Sequence, residues 1–281
     1  MRLAVRFVCN VHPPGRRLHW LLADLKTRLG VRIYRETSIE GSRLYADPFD
    51  SPPTPEPETS ALFVQILRPG MTALDVGAYV GQYSLLASRL VHESGAVIAV
   101  EPTPSVFAQL KRNIKLNQCR NVTAIHAAIS ATSGTGTLYF YSGSSDQNSL
   151  RPLDAECSAS VEVTLMSLDQ IVSESGLSRV DLIKIDVEGN ELYALRGGAE
   201  TIRRYRPCLV LEISRHQRTY GYTGAALKAV LDGFGYDVFK IDPEGLIPYV
   251  PVDDEINQGI SHFNIIAVPS GVDLPVHGRS R

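Results

Sequence analysis

Short apolar runs alternate along this chain with longer stretches whose apolar positions recur at helical spacing. The clearest instance is residues 72–102, TALDVGAYVGQYSLLASRLVHESGAVIAVEP. Thr72 to Val76 is an apolar run with β-branched residues and reads as a strand. Gly77 and Gly81 bracket a turn where backbone can come close to a ligand. From Tyr83 to Val91 the apolar positions 85, 86, 87, 90 and 91 form one helical face, and Ala96 to Val100 is a second strand that delivers Glu101.

The alternation continues. Helices are predicted over Ser105 to Asn117, near Asn190 and over Ala225 to Phe234; strands over Val122 to Ile129, Thr137 to Tyr141, Val161 to Leu165, Val180 to Asp186, Pro207 to Ser214, Tyr236 to Ile241 and His262 to Val268. The order predicts an α/β fold with a doubly wound, mostly parallel sheet. The last two strands are joined without a clear crossover helix, so the final one is expected to run antiparallel. Upstream, Glu58 to Leu67 is helical and stops at Pro69-Gly70, and His19 to Leu29 is amphipathic. Five prolines between 48 and 57 separate the two. Three segments result: residues 1–57 as an N-terminal extension and Pro-rich linker, 58–270 as the main domain, and 271–281 as a polar tail.

The glycine spacing discriminates between cofactor classes. A dinucleotide fold asks for G-x-G-x-x-G, so that a pyrophosphate can lie on bare backbone at a helix N-terminus. Here the run is Asp75-x-Gly77-x-x-x-Gly81, with Tyr79 in place of the middle glycine. A pyrophosphate is a poor neighbour for Asp75, whereas the ammonium and sulfonium of S-adenosylmethionine are good ones. Glu101 then lies about 20 residues beyond the turn, where a carboxylate meets a ribose diol. The plainer reading of Asp75 is a helix cap.

Four blocks, LDVGAYVGQYSLLA, AVEPTPSVFAQLKRNIKLN, HAAIS and LIKIDVEGNELYALRGG, resemble the FkbM-type methyltransferases, a branch of the class I S-adenosylmethionine-dependent enzymes. The resemblance runs from about Glu58 to about Pro269, and Lys184 to Glu191 is its most specific block. It implies a class I methyltransferase fold with a seven-stranded sheet whose last strand is reversed, and O-methylation of a hydroxyl on a sugar or secondary metabolite. Asp75, Gly77, Ala78, Tyr79 and Gly81 are then expected around the methionine part of the donor, Glu101 and Pro102 at the ribose, and Ala128 and Ser130 beside the adenine. Asp186 and Glu188 are expected to position donor and acceptor.

Lys184 and Asp186 share a strand face by the period-two rule, and pairing them is the remedy for a buried lysine. Glu188, Glu212 and His216 are the candidates for the general base, although a lone histidine on a loop is equally an ordinary surface residue. Glu191 is read as complementing a helix dipole and little else. An edge offering Asp186, Glu212 and Ser214 is too sparse for the metal-dependent catechol type, so no metal is expected. The polar connection 142–160 has the length and position to close over a substrate.

Composition limits the remaining options. The net charge of −2 argues against nucleic acid as the main partner, and the basic excess in residues 1–45, nine Lys/Arg against three Asp/Glu, reads as a solvated face. Cys9, Cys119, Cys157 and Cys208 are scattered without a C-x-x-C pair, which suits free thiols in a reducing compartment. The apolar N-terminal stretch is too short and too charged for a signal peptide, so a cytoplasmic enzyme with a small-molecule, hydroxyl-bearing acceptor is expected. An NAD-dependent oxidoreductase and an inactive, binding-only descendant of the fold are the alternatives.

Overall fold

The apolar runs become strands of one sheet. The computed structural model describes residues 6–7, 34–39, 41–46, 56–141, 148–152, 157–251 and 262–274. Strands β1 (Arg6–Phe7), β2 (Tyr34–Ile39) and β3 (Ser42–Ala46) precede helix α1 (Pro57–Ile66). The chain continues through β4 (Thr72–Val76), α2 (Gln82–Val91), β5 (Ala96–Val100), α3 (Pro104–Leu116), β6 (Val122–Ile125), β7 (Ala128–Ile129), β8 (Gly134–Tyr141) and β9 (Cys157–Met166). It ends with α4 (Leu168–Glu174), β10 (Leu182–Ile185), α5 (Glu191–Gly197), α6 (Ala199–Tyr205), β11 (Cys208–Ser214), α7 (Gly224–Gly233), β12 (Tyr236–Asp242), β13 (Gly245–Pro248) and β14 (His262–Pro269).

The main sheet has eight strands in the order β13-β12-β14-β11-β10-β4-β5-β6. β11, β10, β4, β5 and β6 run parallel, and β14 is antiparallel to both β11 and β12. The reversed last strand is therefore present, and the expected seven strands gain an eighth. β13 folds back on β12 as a hairpin whose turn places Gly245 at φ +127. A period-two pattern distributes the core to both faces. Leu74, Val76, Ile98, Val100, Ile183 and Ile185 join one apolar cluster; Ala73, Val97, Leu182 and Val210 join the opposite one, with Tyr83, Leu86 and Ala87 of α2.

The predicted strand Val122 to Ile129 is in fact two. β6 pairs with β5 and stops at Ile125, whereas Ala128 and Ile129 pair with β9 in a separate three-stranded sheet, β7-β9-β8. The strands predicted around 137–141 and 161–165 belong to that second sheet, beside the main one.

The predicted helix at His19 to Leu29 and most of the Pro-rich linker lie outside the described residues. Of the preceding segment, β3 docks on the core. Leu44 is fully buried with Leu85, Arg89 Nη1 donates to Ser42 Oγ at 2.6 Å, and Asn117 both donates to the Arg43 carbonyl at 2.7 Å and accepts from its N–H at 3.0 Å. This contact holds the sides of α2 and α3, the helices that follow the two strand ends carrying the donor-type residues. No helix among the described residues is long and apolar enough to cross a membrane.

Candidate functional site

The carboxyl ends of β4, β5, β10 and β11 converge on a cavity of about 410 Å³, the range of small-molecule sites. Its floor is the turn after β4. The N–H groups of Gly77 and Ala78 both donate to the Val100 carbonyl at 2.9 Å, and Gly77 sits at φ +80 because the chain must double back under the end of β10. A Cβ there would lie 1.8 Å from the Asp186 carbonyl oxygen, so only glycine fits. Tyr79 adopts φ +49 and presents its N–H to Glu101 Oε2 at 3.0 Å, while Thr103 N–H donates to Glu101 Oε1 at 2.8 Å. Burial pushes the Glu101 carboxyl up to about 7 despite those two bonds, which act in the opposite direction.

Asp75 does not line this cavity. The same alternation that buries Ala73 turns Asp75 toward α2, where it is 2% exposed and accepts from Ser84 Oγ at 2.5 Å. Lys184 is its direct partner in the β10–β4 register, and Lys184 Nζ also donates to Asp186 Oδ2 at 2.6 Å, as the shared face predicts. Burial alone would lower the Lys184 ammonium, but Asp186, Asp75 and Glu56 outweigh it and hold it charged. Burial likewise raises Asp75, with Lys184 opposing the shift. Asp75 thus lies outside the cavity lining, apart from its expected place around the methionine part.

The opposite wall comes from the turn between β10 and α5. Glu188 adopts φ +54 and Gly189 φ +96, and a Cβ on Gly189 would come within 2.7 Å of the His216 backbone. Glu191 holds this turn. It is fully buried and accepts from Val187 N and Gly189 N, both at 3.1 Å, through Oε1, with Tyr222 OH 2.9 Å from Oε2. The expectation of a simple dipole partner is therefore too small. Glu191→Ala leaves two backbone donors buried without their acceptor and Tyr222 OH with only the Gly189 carbonyl, and urea unfolding should show a loss of about 3 kcal/mol. A loss under about 1 kcal/mol would mean the turn holds without it.

The turn aims Glu188 at His216, which lies in the short 3-10 turn Arg215–Arg218 after β11; His216 Nδ1 is 2.7 Å from Glu188 Oε2. A carboxylate only accepts, so Nδ1 carries the proton and Nε2 is the basic nitrogen of the ring. Glu212, on β11, completes an acidic group: carboxylate oxygens of Asp186, Glu188 and Glu212 lie within 4.8 Å of one another. Burial first, then the charges of Asp186, Glu188 and Glu191, push the Glu212 carboxyl well above the usual range.

Of the residues read from the sequence, Gly77, Ala78, Tyr79, Glu101, Pro102, Ala128, Asp186, Glu188, Glu212 and His216 all line the cavity. Gly81 and Ser130 do not. Gly81 caps α2 from behind the wall at φ +99, against Leu110. Ser130 leaves the wall because β7 turns to the second sheet, and its N–H donates to the Met166 carbonyl. Asn190 takes over near that edge, donating to the Ile129 carbonyl at 2.6 Å.

Sequence reasoning missed Glu56, which lines the cavity from just before α1 and accepts from Tyr83 OH at 2.5 Å and Asn264 Nδ2 at 2.9 Å. Its partner on β14 is 208 positions away, so no local signal marks it. Of the 142–160 connection, residues 148–152 and 157–160 are described. Asn148 and Leu150 line the cavity; Asn148 donates to Thr103 Oγ1 at 3.1 Å, and Tyr220 OH meets Ser149 Oγ at 2.8 Å and the Leu150 N–H at 3.0 Å. The segment crosses from the Glu101 side to the His216 side.

Residues 75–245 match the Methyltransferase FkbM domain family, which is more than half of the 281-residue chain. Methyltransferase sdnD of Sordaria araneosa is 28% identical over 198 residues, covering 59% of this chain and 74% of that protein. The 31-O-demethyl-FK506 methyltransferase FkbM of Streptomyces tacrolimicus is 26% identical over 166 residues, covering 47% and 60%. The hexuronic acid methyltransferase AglP of Haloferax volcanii is 27% identical over 123 residues, covering 44% and 48%. The matched span contains the glycine turn, Glu101, the 184–191 block and the Glu188–His216 pair, and the chain belongs to the FkbM methyltransferase family.

Proposed function

We propose that the chain is an S-adenosylmethionine-dependent O-methyltransferase acting on a hydroxyl of a sugar or secondary-metabolite acceptor. The observation that carries this reading is the carboxylate–histidine pair of Glu188 and His216, set in the wall of a cavity whose other wall is the glycine turn and Glu101. Two relatives support oxygen and sugar chemistry by name, one a 31-O-demethyl-FK506 methyltransferase and one a hexuronic acid methyltransferase.

The residues present suit that donor. Glu101 has lone pairs beyond the two backbone bonds it accepts, enough for a ribose diol. Gly77 and Ala78 leave room for close approach, and Glu56 and Asp186 line the pocket with carboxyl groups, neighbours that suit a cation better than a pyrophosphate. When bound, S-adenosylmethionine supplies an electrophilic methyl group on its sulfonium. His216 takes the acceptor's proton, and Glu188 orients the ring and stabilises the imidazolium.

Product mass spectrometry with the donor and a panel of sugars and hydroxylated metabolites tests the function. A methylated alcohol is expected; thermal protection by NADH and none by S-adenosylmethionine would overturn it. Donor binding should also depend on pH. The ionised Glu101 carboxylate accepts from the diol more strongly than the protonated acid, so affinity should fall as pH drops below about 7 and level off within the roughly 1–3 kcal/mol that the side chain contributes. Glu101→Gln should flatten that dependence, and Glu101→Ala should weaken binding by about 1–3 kcal/mol in calorimetric titration. The same raised carboxyl acts on stability with the opposite slope: its contribution is greatest in acid and is lost as pH rises from the ordinary carboxylate range to about 7.

A further inference from the structure

We infer that Asp186, Glu188 and Glu212 form a site for a hard divalent cation, with the Ser214 hydroxyl as an additional oxygen donor. The sequence argument against a metal counted only Asp186, Glu212 and Ser214 at this edge. The left-handed backbone at Glu188 adds the third carboxylate, bringing ligand oxygens of all three acids within 4.8 Å of one another.

An acidic cluster alone would not carry the inference, since surface acids often gather without an ion. The second observation is a set of unsatisfied oxygens on the same wall. Ser214 is 3% exposed, and its Oγ has no hydrogen-bond partner among the described residues. It lies two positions beyond Glu212 on β11, hence on the same strand face, and both line the cavity. Glu212 Oε2 is buried and also without a partner. Buried polar atoms are nearly always satisfied, so two orphans beside three carboxylates call for an electropositive occupant.

The counter-charge at hand is Lys184, which acts on Glu212 but does not offset its burial and the neighbouring acids. Lys184 is hydrogen-bonded to Asp186 Oδ2, and His216 meets Glu188 through Nδ1. An all-oxygen donor set of carboxylates and a hydroxyl suits Mg²⁺, Mn²⁺ or Ca²⁺ and not zinc or copper. The site adjoins His216, so a coordinated acceptor hydroxyl would be made more acidic beside the group that takes its proton. That role rests on the proposed methyl transfer, whereas the cation site itself does not.

Mn²⁺ titration of the chelator-treated full chain, followed by electron paramagnetic resonance of free Mn²⁺ and by thermal shift, tests the site. One Mn²⁺ per chain is expected at micromolar to millimolar concentration, with Mg²⁺ competing, and Glu212→Gln should weaken it at least about tenfold. Glu188→Gln serves the same purpose should the first variant fail to fold. Absence of Mn²⁺ uptake at millimolar concentration, or equal uptake by wild type and both variants, overturns the inference. So does a Glu212→Gln protein that melts higher and shows no cation response, because a proton on Glu212 would then be the occupant. Failure of methyl transfer with every acceptor leaves these binding results unaffected, so the two readings fail separately.

Discussion

Gly77→Ala should severely destabilise the folded protein, not merely lower its activity. The added Cβ meets the Asp186 carbonyl oxygen at 1.8 Å, well inside any van der Waals contact, and the obstacle is backbone, which has no rotamer to give. The position is also at φ +80, which costs alanine about 1–2 kcal/mol before any clash. Relief requires the ends of β4 and β10 to part, and these are central strands held by a four-residue-pair register from Leu182↔Ala73 to Ile185↔Val76. The expected loss exceeds about 4 kcal/mol, a large share of the 5–15 kcal/mol typical of a domain. Denaturant unfolding, or the soluble fraction at growth temperature, is the measurement. A midpoint change worth under about 1 kcal/mol would show that the strand ends yield easily and that the glycine is not a steric necessity.

His216→Ala should lower kcat by about 10²–10⁴-fold at saturating donor, the usual worth of a positioned base. Donor affinity should change little, because Glu101 and the glycine turn stand on the opposite wall. The rate profile gives the sharper readout. At saturating donor the acid limb reports loss of the free imidazole, so it should vanish in His216→Ala and shift toward acid in Glu188→Gln, which loses the carboxylate at 2.7 Å that favours the charged ring. A variant that keeps the wild-type profile and kcat would remove His216 from the chemistry and leave Glu212 or Glu188 as the base.

What was legible in the sequence was whatever local spacing encodes. The Gly77 turn, the strand that delivers Glu101, and the pairing of Lys184 with Asp186 all follow from short periods, and the fold reproduces them. Asp75 shows the limit of that reasoning. Its neighbours mark it as a turn acid, but its role depends on sharing a register with Lys184 across β10, which no spacing reveals. Ser130 failed for a similar reason, since β7 leaves the main sheet for a partner on β9 that lies far along the chain. Glu188 joined the acidic group only because a non-glycine residue adopts φ +54, in a turn supported by Glu191 of α5 and by Tyr222 from the loop before α7. Glu56 depended on Asn264 across nearly the whole chain. In each case the missing information was long-range pairing, not residue chemistry.

The crossing made by Asn148, Ser149 and Leu150 is fastened by the Asn148 amide hydrogen bond at Thr103, by the Tyr220 hydroxyl, and by the Tyr139↔Ser149 bridge, whose two backbone hydrogen bonds measure 2.8 and 3.2 Å. Fastenings of this sort are worth about 0.5–1.5 kcal/mol each, far less than the burial holding the sheet beneath them. Ser149 thereby ties β8 of the second sheet to Tyr220, so a change of sequence in this span would be felt on both sides of the cavity.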